Sequence, residues 1–180
     1  MEEIAVFEKV SYKRFREDYI KLNEIDPKKF SESDDLKLME VYCDIELPRR
    51  ATSGSAGHDF KMPYEVKLEP GKCVNIPSGI RCQIENGWVL KLYPRSGMGS
   101  KYKMRLNNTV GIIDSDYYGS DNEGHILARI SVEDDTELKI EKGQGFMQGI
   151  FLQFGVTVGD DVTEKRNGGF NSTENHKFKI

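Results

Sequence analysis

The chain is short of the features that announce many common protein classes. It has 3 cysteines in 180 residues, Cys43, Cys73 and Cys82, an odd number with no C-x-x-C pair. Free thiols are therefore expected, rather than a disulfide scaffold or a cysteine-based zinc site. The 3 histidines, His58, His125 and His176, are scattered, and no H-E-x-x-H box occurs. A zinc hydrolase and a histidine-based triad both lose their basis. No apolar run approaches the ~20 residues that cross a bilayer, so a membrane partner is not expected. The opening residues MEEIAVFEKV are acidic at their start and lack the apolar centre of a secretory signal. A cytoplasmic location is the expectation. Positive charge is not in excess either: 26 Lys and Arg against 30 Asp and Glu leave a net charge of −4. A nucleic-acid partner is not expected, because such proteins face phosphate with a basic field. Any phosphate contact must be local, made by a few Arg or Lys in one pocket.

What is present is a folded chain. It carries 9 Phe, 8 Tyr and 1 Trp, too many aromatics for a disordered segment. Its length suits one domain with a modest appendage. Tyr12, Phe15, Tyr19 and Leu22 recur at helical spacing behind Ser11, a candidate N-cap. An amphipathic helix is predicted there, ending before Asp26-Pro27. Residues 24–36 read as a polar linker, so residues 1–37 form an N-terminal helix and linker. From residue 38 the period changes to two. Val41, Cys43, Ile45 and Leu47 alternate, as do Val66 and Leu68, then Ile80, Cys82 and Ile84, then Leu138 and Ile140. Continuous apolar runs at 88–93, 126–132 and 150–154 read as buried strands. Turn signals separate them, among them Glu69-Pro70-Gly71, Glu85-Asn86-Gly87, Asp134-Asp135 and Lys142-Gly143. Many short strands at this spacing predict an all-β fold, a sandwich or jelly roll, over 38–160. Residues 161–180 lose the alternation and read as an arm.

Five segments do not fit a plain sandwich: ATSGSAGHDF at 51–60, YPRSGMGSK at 93–101, NTVGIIDSDYYG at 108–119, GQGFMQGIF at 143–151 and NGGFNST at 167–173. Singly, each reads as a turn that needs glycine. Gly143-x-Gly145 lacks the third glycine and βαβ setting of a dinucleotide fingerprint, and SGMGSK lacks the P-loop spacing. Together, in this order, they resemble the five motifs of the trimeric dUTP diphosphatase (dUTPase) family. The resemblance covers about residues 38–174. It implies a distorted jelly roll, the β-clip of that family, with the N-terminal helix added. The implied activity is hydrolysis of dUTP to dUMP and pyrophosphate with Mg²⁺, by a homotrimer that shares its active sites between subunits.

The resemblance also implies roles. Asp114 is the carboxylate that activates water for attack on the α-phosphorus, a task general bases perform by holding and deprotonating a nearby water. The plain alternative is that Asp114 caps the following turn. Asn108 and the backbone near Gly111 pair with the uracil edge. A β-hairpin over Asn108–Tyr117, turning at Ser115-Asp116, forms that slot. Cytosine would mispair at two edge atoms at ~1–3 kcal/mol each, enough to reject it. Tyr117 stacks on the deoxyribose and leaves no room for a 2′-hydroxyl. Arg95 holds phosphate oxygens with its planar fork. Ser96 and the N–H groups around Gly97, opening a short helix, donate to the leaving pyrophosphate. Gln148 donates to the α-phosphate. Asp59 accepts from a water on Mg²⁺, an ion usually held by phosphates and few carboxylates. On the arm, Phe170 stacks over uracil, while Ser172, Thr173 and Arg166 or Lys165 engage the γ-phosphate as the arm closes.

The sequence departs from the family pattern in places. Asn171 and Glu174 stand where two glycines are usual, and Gly145 stands where relatives often carry Arg, which removes an ion pair. Ser120 and the acidic insertion Asp121-Asn122-Glu123 follow the third motif and read as a loop outside the site. Two other readings remain. One is a dCTP deaminase-type relative, disfavoured by Asp114 and Tyr117. The other is a degenerate fold used as a protein-binding regulator, disfavoured because the catalytic-type residues are all retained.

Overall fold

A computed structural model describes residues 2–133, 135, 137–164 and 166. The chain opens with strand β1 (Ala5–Lys9), which pairs antiparallel with a core strand and was not foreseen from its sequence. Helix α1 (Tyr12–Leu22) follows, with Ser11 as its N-cap accepting from the Arg14 N–H, as expected. It stops at Asn23, before Asp26-Pro27, where the Asn23 side chain donates to the Tyr19 carbonyl at 2.8 Å. Phe15 and Ile20 are buried on the face that meets the strands.

The next expectation fails. Residues 24–36 do not form a linker throughout, and no strand starts at 38. Helix α2 (Glu32–Cys43) occupies the ground between. Its start is a capping box, in which Ser31 and Asp34 satisfy each other's backbone N–H groups. Three acidic residues, Glu32, Asp34 and Asp35, favour the positive end of the helix. The apparent alternation at 41–47 was accidental: Ile45 is buried, while Cys43 and Leu47 are exposed. The boundary expected between 37 and 38 thus falls within α2.

The remainder is the expected all-β architecture. In chain order the strands are β2 (Arg49–Arg50), β3 (His58–Lys61), β4 (Val66–Leu68), β5 (Cys73–Pro77), β6 (Ile80–Ile84) and β7 (Trp88–Pro94). Short helix α3 (Ser96–Tyr102) comes next, then β8 (Arg105–Leu106), β9 (Gly111–Ile113) and a 3-10 turn (Ser115–Gly119). Strands β10 (Leu127–Ser131), β11 (Leu138–Ile140) and β12 (Gly145–Gln153) complete the described core. All the strand pairings are antiparallel. The largest sheet runs β2-β3-β12-β7-β9, and a second runs β5-β10-β8. The period-two reading holds where it was cleanest: Ile80, Cys82 and Ile84 are buried along β6, and Leu138 and Ile140 along β11. Phe60, Leu90, Ile76, Ile130 and Phe146 fill the space between the layers.

The run at 150–154 behaves differently from a buried strand. Leu152 and Phe154 are exposed, as are Val156, Val158 and Val162 beyond it. The apolar end of β12 stays paired with β7 but leaves these side chains exposed on the single chain.

Candidate active site

Strand register assembles one half of the site. On β12, Gln148 lies opposite Asp59 of β3 on one side and Tyr93 of β7 on the other. Residues from three of the five sequence segments thereby meet at one end of the sheet. The Gln148 amide donates to the Pro94 carbonyl at 3.4 Å. Gly57 makes room for it, because a Cβ there would lie 2.4 Å from Gln148 Oε1. Arg95 leaves the end of β7 with its N–H donated to the Phe146 carbonyl at 3.1 Å. Its guanidinium pairs with Asp59, Nε to Oδ1, at 3.2 Å.

Gly145 has a positive role here. A Cβ on it would stand 2.5 Å from Arg95 Nη1. Gly145 gives Arg95 a bare floor, and the carboxylate partner of Arg95 is Asp59. Arg95 also occupies the N-cap position of α3, without capping by its side chain. Ser96 and Gly97 begin that helix and are exposed. The short helix expected after Arg95 is therefore present.

The other half surrounds Asp114. The hairpin expected over Asn108–Tyr117 is not formed. Only Gly111–Ile113 is strand, and it pairs with Leu92–Leu90 of β7. Beyond it the chain tightens, since the Tyr117 N–H bonds back to the Asp114 carbonyl and the Ser120 N–H to the Tyr117 carbonyl. Such i to i+3 bonds make a 3-10 turn where a hairpin turn was expected. Before the strand, Asn108 is exposed and Thr109 holds φ of +65°. Positive φ is uncommon for a β-branched residue. Gly111 is buried against β7: a Cβ there would lie 3.0 Å from Leu92 Cβ.

Asp114 stands at the N-cap position of the 3-10 turn, yet its side chain makes no cap hydrogen bond. Its carboxylate accepts instead from Arg166 Nη2 at 2.5 Å, while Arg166 Nε donates to Asp116 at 3.0 Å. The same guanidinium carbon lies 5.6 Å from the centre of the Tyr117 ring. Tyr117 is 6% exposed. Its hydroxyl donates to the His125 carbonyl and accepts from Asn122 Nδ2, both at 2.7 Å. Burial is the first cause raising its pKa, so it remains a neutral donor. The insertion 121–123, read as a loop outside the site, therefore touches a site residue. No local pattern announces that contact. Phe170, Ser172, Thr173 and Lys165 lie outside the described residues.

The two halves do not converge within one chain. Gln148 is level with Tyr93 on β7, whereas Ile113 is level with Leu90 and Asp114 lies one residue further on. Four residues of strand separate the two levels by roughly 13 Å. Among the described residues, no group of three or more His, Cys, Asp or Glu is arranged to hold a metal ion.

Comparison with known proteins gives one consistent result. The dUTPase family model matches residues 44–174. A deoxyuridine 5′-triphosphate nucleotidohydrolase from Lactococcus lactis is 42% identical over 132 residues, covering 72% of this chain and 88% of that protein. One from Tolumonas auensis is 33% identical over 152 residues, covering 79% and 97%. The crystal structure of a dUTPase from Streptococcus mutans has a TM-score of 0.58 and 37% identity, covering 63% of this chain and 89% of that one. The matched residues begin just after α2 and take in every segment from which the site is built, so the chain belongs to the dUTPase family.

Proposed function

We propose that the protein is a dUTP diphosphatase acting through Asp114. The observation that carries this reading is that Asp114 holds a capping position without capping, leaving a half-exposed carboxylate whose partner is the Arg166 guanidinium. In the proposed reaction the oxygen of a water attacks the α-phosphorus of dUTP while Asp114 takes its proton. The bond from that phosphorus to the bridging oxygen breaks, and pyrophosphate leaves with the bonding pair. Ser96 and the N–H of Gly97 donate to the departing oxygen, and Gln148 to the α-phosphate. Arg95 holds phosphate oxygens bidentately. Asn108 and the backbone at Gly111 read the uracil, and the Tyr117 ring closes the space that a 2′-hydroxyl would need. Phe170, Ser172 and Thr173 complete the site from the arm. Arg166 moves from Asp114 to the γ-phosphate, which frees the base as the arm engages.

Mg²⁺ fits this donor set. Asp59 is one partly exposed carboxylate already paired with Arg95, and no protein cage accompanies it among the described residues. That suits a cation carried by phosphates and retaining its waters, with Asp59 accepting from one of them. Mg²⁺ would neutralise phosphate charge during the reaction.

The same geometry supports a homotrimer with shared sites as part of this proposal. The separation of Asp114 from Arg95, Asp59 and Gln148 is the observation that supports a contribution from a second chain. The exposed apolar end of β12 offers surface for one. Light scattering is expected to return three times the 20.6 kDa chain mass. Asp114→Asn and Arg95→Ala chains, each inactive alone, are expected to regain activity when mixed in one assembly. No recovery would mean that each site is built from a single chain.

The direct test incubates the protein with Mg²⁺ and dUTP, dCTP or UTP, and measures pyrophosphate and ammonia. Pyrophosphate from dUTP alone is expected. Ammonia from dCTP would identify a deaminase, and no product from any nucleotide would overturn the reading.

A further inference from the structure

The N-terminal residues precede the span shared with the family, yet they grip the third motif at several points. We propose that β1 and α1 act as a brace that sets the Tyr117 ring, with Asp18, through His125, and Ser11, through Glu123, as positioning residues for sugar discrimination. This inference rests on the proposed dUTP diphosphatase reading.

The central link is buried. His125 is 0% exposed and Asp18 7%. His125 Nε2 accepts from the Gly79 N–H at 2.8 Å. Its proton must then sit on Nδ1, which donates to Asp18 Oδ2 at 2.6 Å. The backbone carbonyl of the same histidine is the acceptor for the Tyr117 hydroxyl. A helix outside the family span thus fixes the residue that holds the tyrosine. A second link runs through the acidic insertion. Glu123 accepts from Ser11 twice, from the backbone N–H at 2.8 Å and from Oγ at 2.6 Å. Arg14 reaches the Asp121 carbonyl at 3.4 Å. Between these anchors, Asn122 donates to Tyr117, and its Oδ1 lies 2.7 Å from Ser120 Oγ. Gly124 lets the loop fold back, with φ of +68° and no space for a Cβ, which would meet Tyr118 Cα at 2.7 Å. A third link holds Tyr118. Its hydroxyl donates to Glu8 of β1 at 2.6 Å, and the Arg81 guanidinium lies 3.5 Å from its ring centre.

The physical consequence is that Tyr117 has little freedom of its own. A ring that excludes one hydroxyl must be held to within a fraction of its size, because misplacement by about 1 Å is enough to cost up to about a hundredfold in a tuned site. The polar partners of the Tyr117 hydroxyl come from residues 120–125, and these are held in turn by residues 11–18 and by Gly79 in the turn between β5 and β6, while Glu8 and Arg81 hold the adjacent Tyr118.

The test compares kcat/KM for dUTP and UTP in Asp18→Ala, Asp18→Asn, Glu123→Ala and a control, Tyr12→Phe. The control loosens the same helix where it meets Asp35 of α2 and leaves the third motif untouched. All are assayed at a temperature at which melting curves show each folded. Asp18→Ala is expected to lower the dUTP/UTP ratio by about tenfold, Glu123→Ala by about threefold, and Tyr12→Phe by less than about twofold. Asp18→Asn is expected to recover most of the ratio, since its amide oxygen still accepts from Nδ1. If Asp18→Ala does not fold, the Glu123→Ala variant, at a partly exposed position, decides. Variants that lose thermal stability but keep the wild-type ratio would overturn the brace. A wild-type protein that leaves dUTP untouched would instead overturn the parent reading.

Discussion

The two halves of the candidate site are built by different means. Asp59, Arg95 and Gln148 are brought together by antiparallel register, so backbone hydrogen bonds fix where they stand. Asp114 follows a three-residue strand and Tyr117 lies in the 3-10 turn after it, and side chains from far away in sequence, Glu8 and Arg81, hold that turn. A register-built half persists as long as the sheet does. A side-chain-built half can be lost while the sheet survives, and it can acquire partners that relatives lack.

The sharpest way to separate the halves is to disable one chemically and leave the other intact. Asp114→Asn keeps shape and removes the base. Turnover is expected to fall by about 10²–10⁴-fold, the usual contribution of a general base. Binding of a non-hydrolysable dUTP analogue, measured by calorimetry, is expected to persist, because the phosphate contacts proposed for Arg95, Ser96 and Gln148 belong to the other half. An Asn variant with near-normal turnover would remove Asp114 from the chemistry.

A second experiment asks whether the N-terminal segment is part of the fold or an attachment to it. Phe15 is fully buried and its ring packs beside Tyr19, Tyr42 and His125. Phe15→Ala is expected to cost about 3–5 kcal/mol in denaturant unfolding, in a single transition. A loss below about 1 kcal/mol, or a separate early transition, would make the segment an independent appendage.

Within the register-built half, the close approach of Gly145 to Arg95 can be probed without harming the sheet. Gly145→Ala places a Cβ against Nη1, the movable end of a long side chain. Stability is expected to change little, while kcat/KM for dUTP falls by about tenfold as Arg95 is pushed from Asp59. Unchanged kinetics would mean that Arg95 finds its working position in the substrate complex regardless of its resting contact.

The contrast also explains what the sequence made legible. Strands β6 and β11 were readable because each buries alternate residues, and a two-residue period survives in the sequence. Asp59, Arg95 and Gln148 are singled out by their motifs, and the strand register brings them to one end of the sheet. Helix α2 is hard to read because its capping box at Ser31 and Asp34 lies in a polar stretch, while a short accidental alternation at 41–47 imitates a strand. Strand β1 is not legible because its five residues are too few to show a period, with apolar Val6 on the exposed side beside Glu8, and they gain their order from β6. The contacts of Asn122, Glu123 and His125 had no local signature at all. Ser11 and Glu123 are 112 positions apart, and only the folded chain makes them neighbours.

The smallest expected effect lies at the outer edge of the N-terminal segment, where α1 meets α2. Asp35 accepts from Arg16 Nε at 2.5 Å and from the Tyr12 hydroxyl at 2.9 Å. The Arg16 hydrogen bond, then that of Tyr12, holds the Asp35 carboxyl below its ordinary range. A carboxylate depressed in the folded state contributes stability above its unfolded pKa and loses it as pH falls through the folded one. Burial first, then Asp35, pushes Tyr12 up to about 12. A raised group contributes below its unfolded pKa, near 10, and loses that contribution as pH rises toward 12. The junction is therefore strongest across the neutral range and weakens at both extremes. The melting temperature of Asp35→Asn should lie a little below wild type between about pH 5 and 9, with the gap closing below about pH 4. A gap that stays constant through the acid range would mean that Asp35 acts there by shape alone. The pair would then contribute nothing electrostatic to the segment that holds Tyr117.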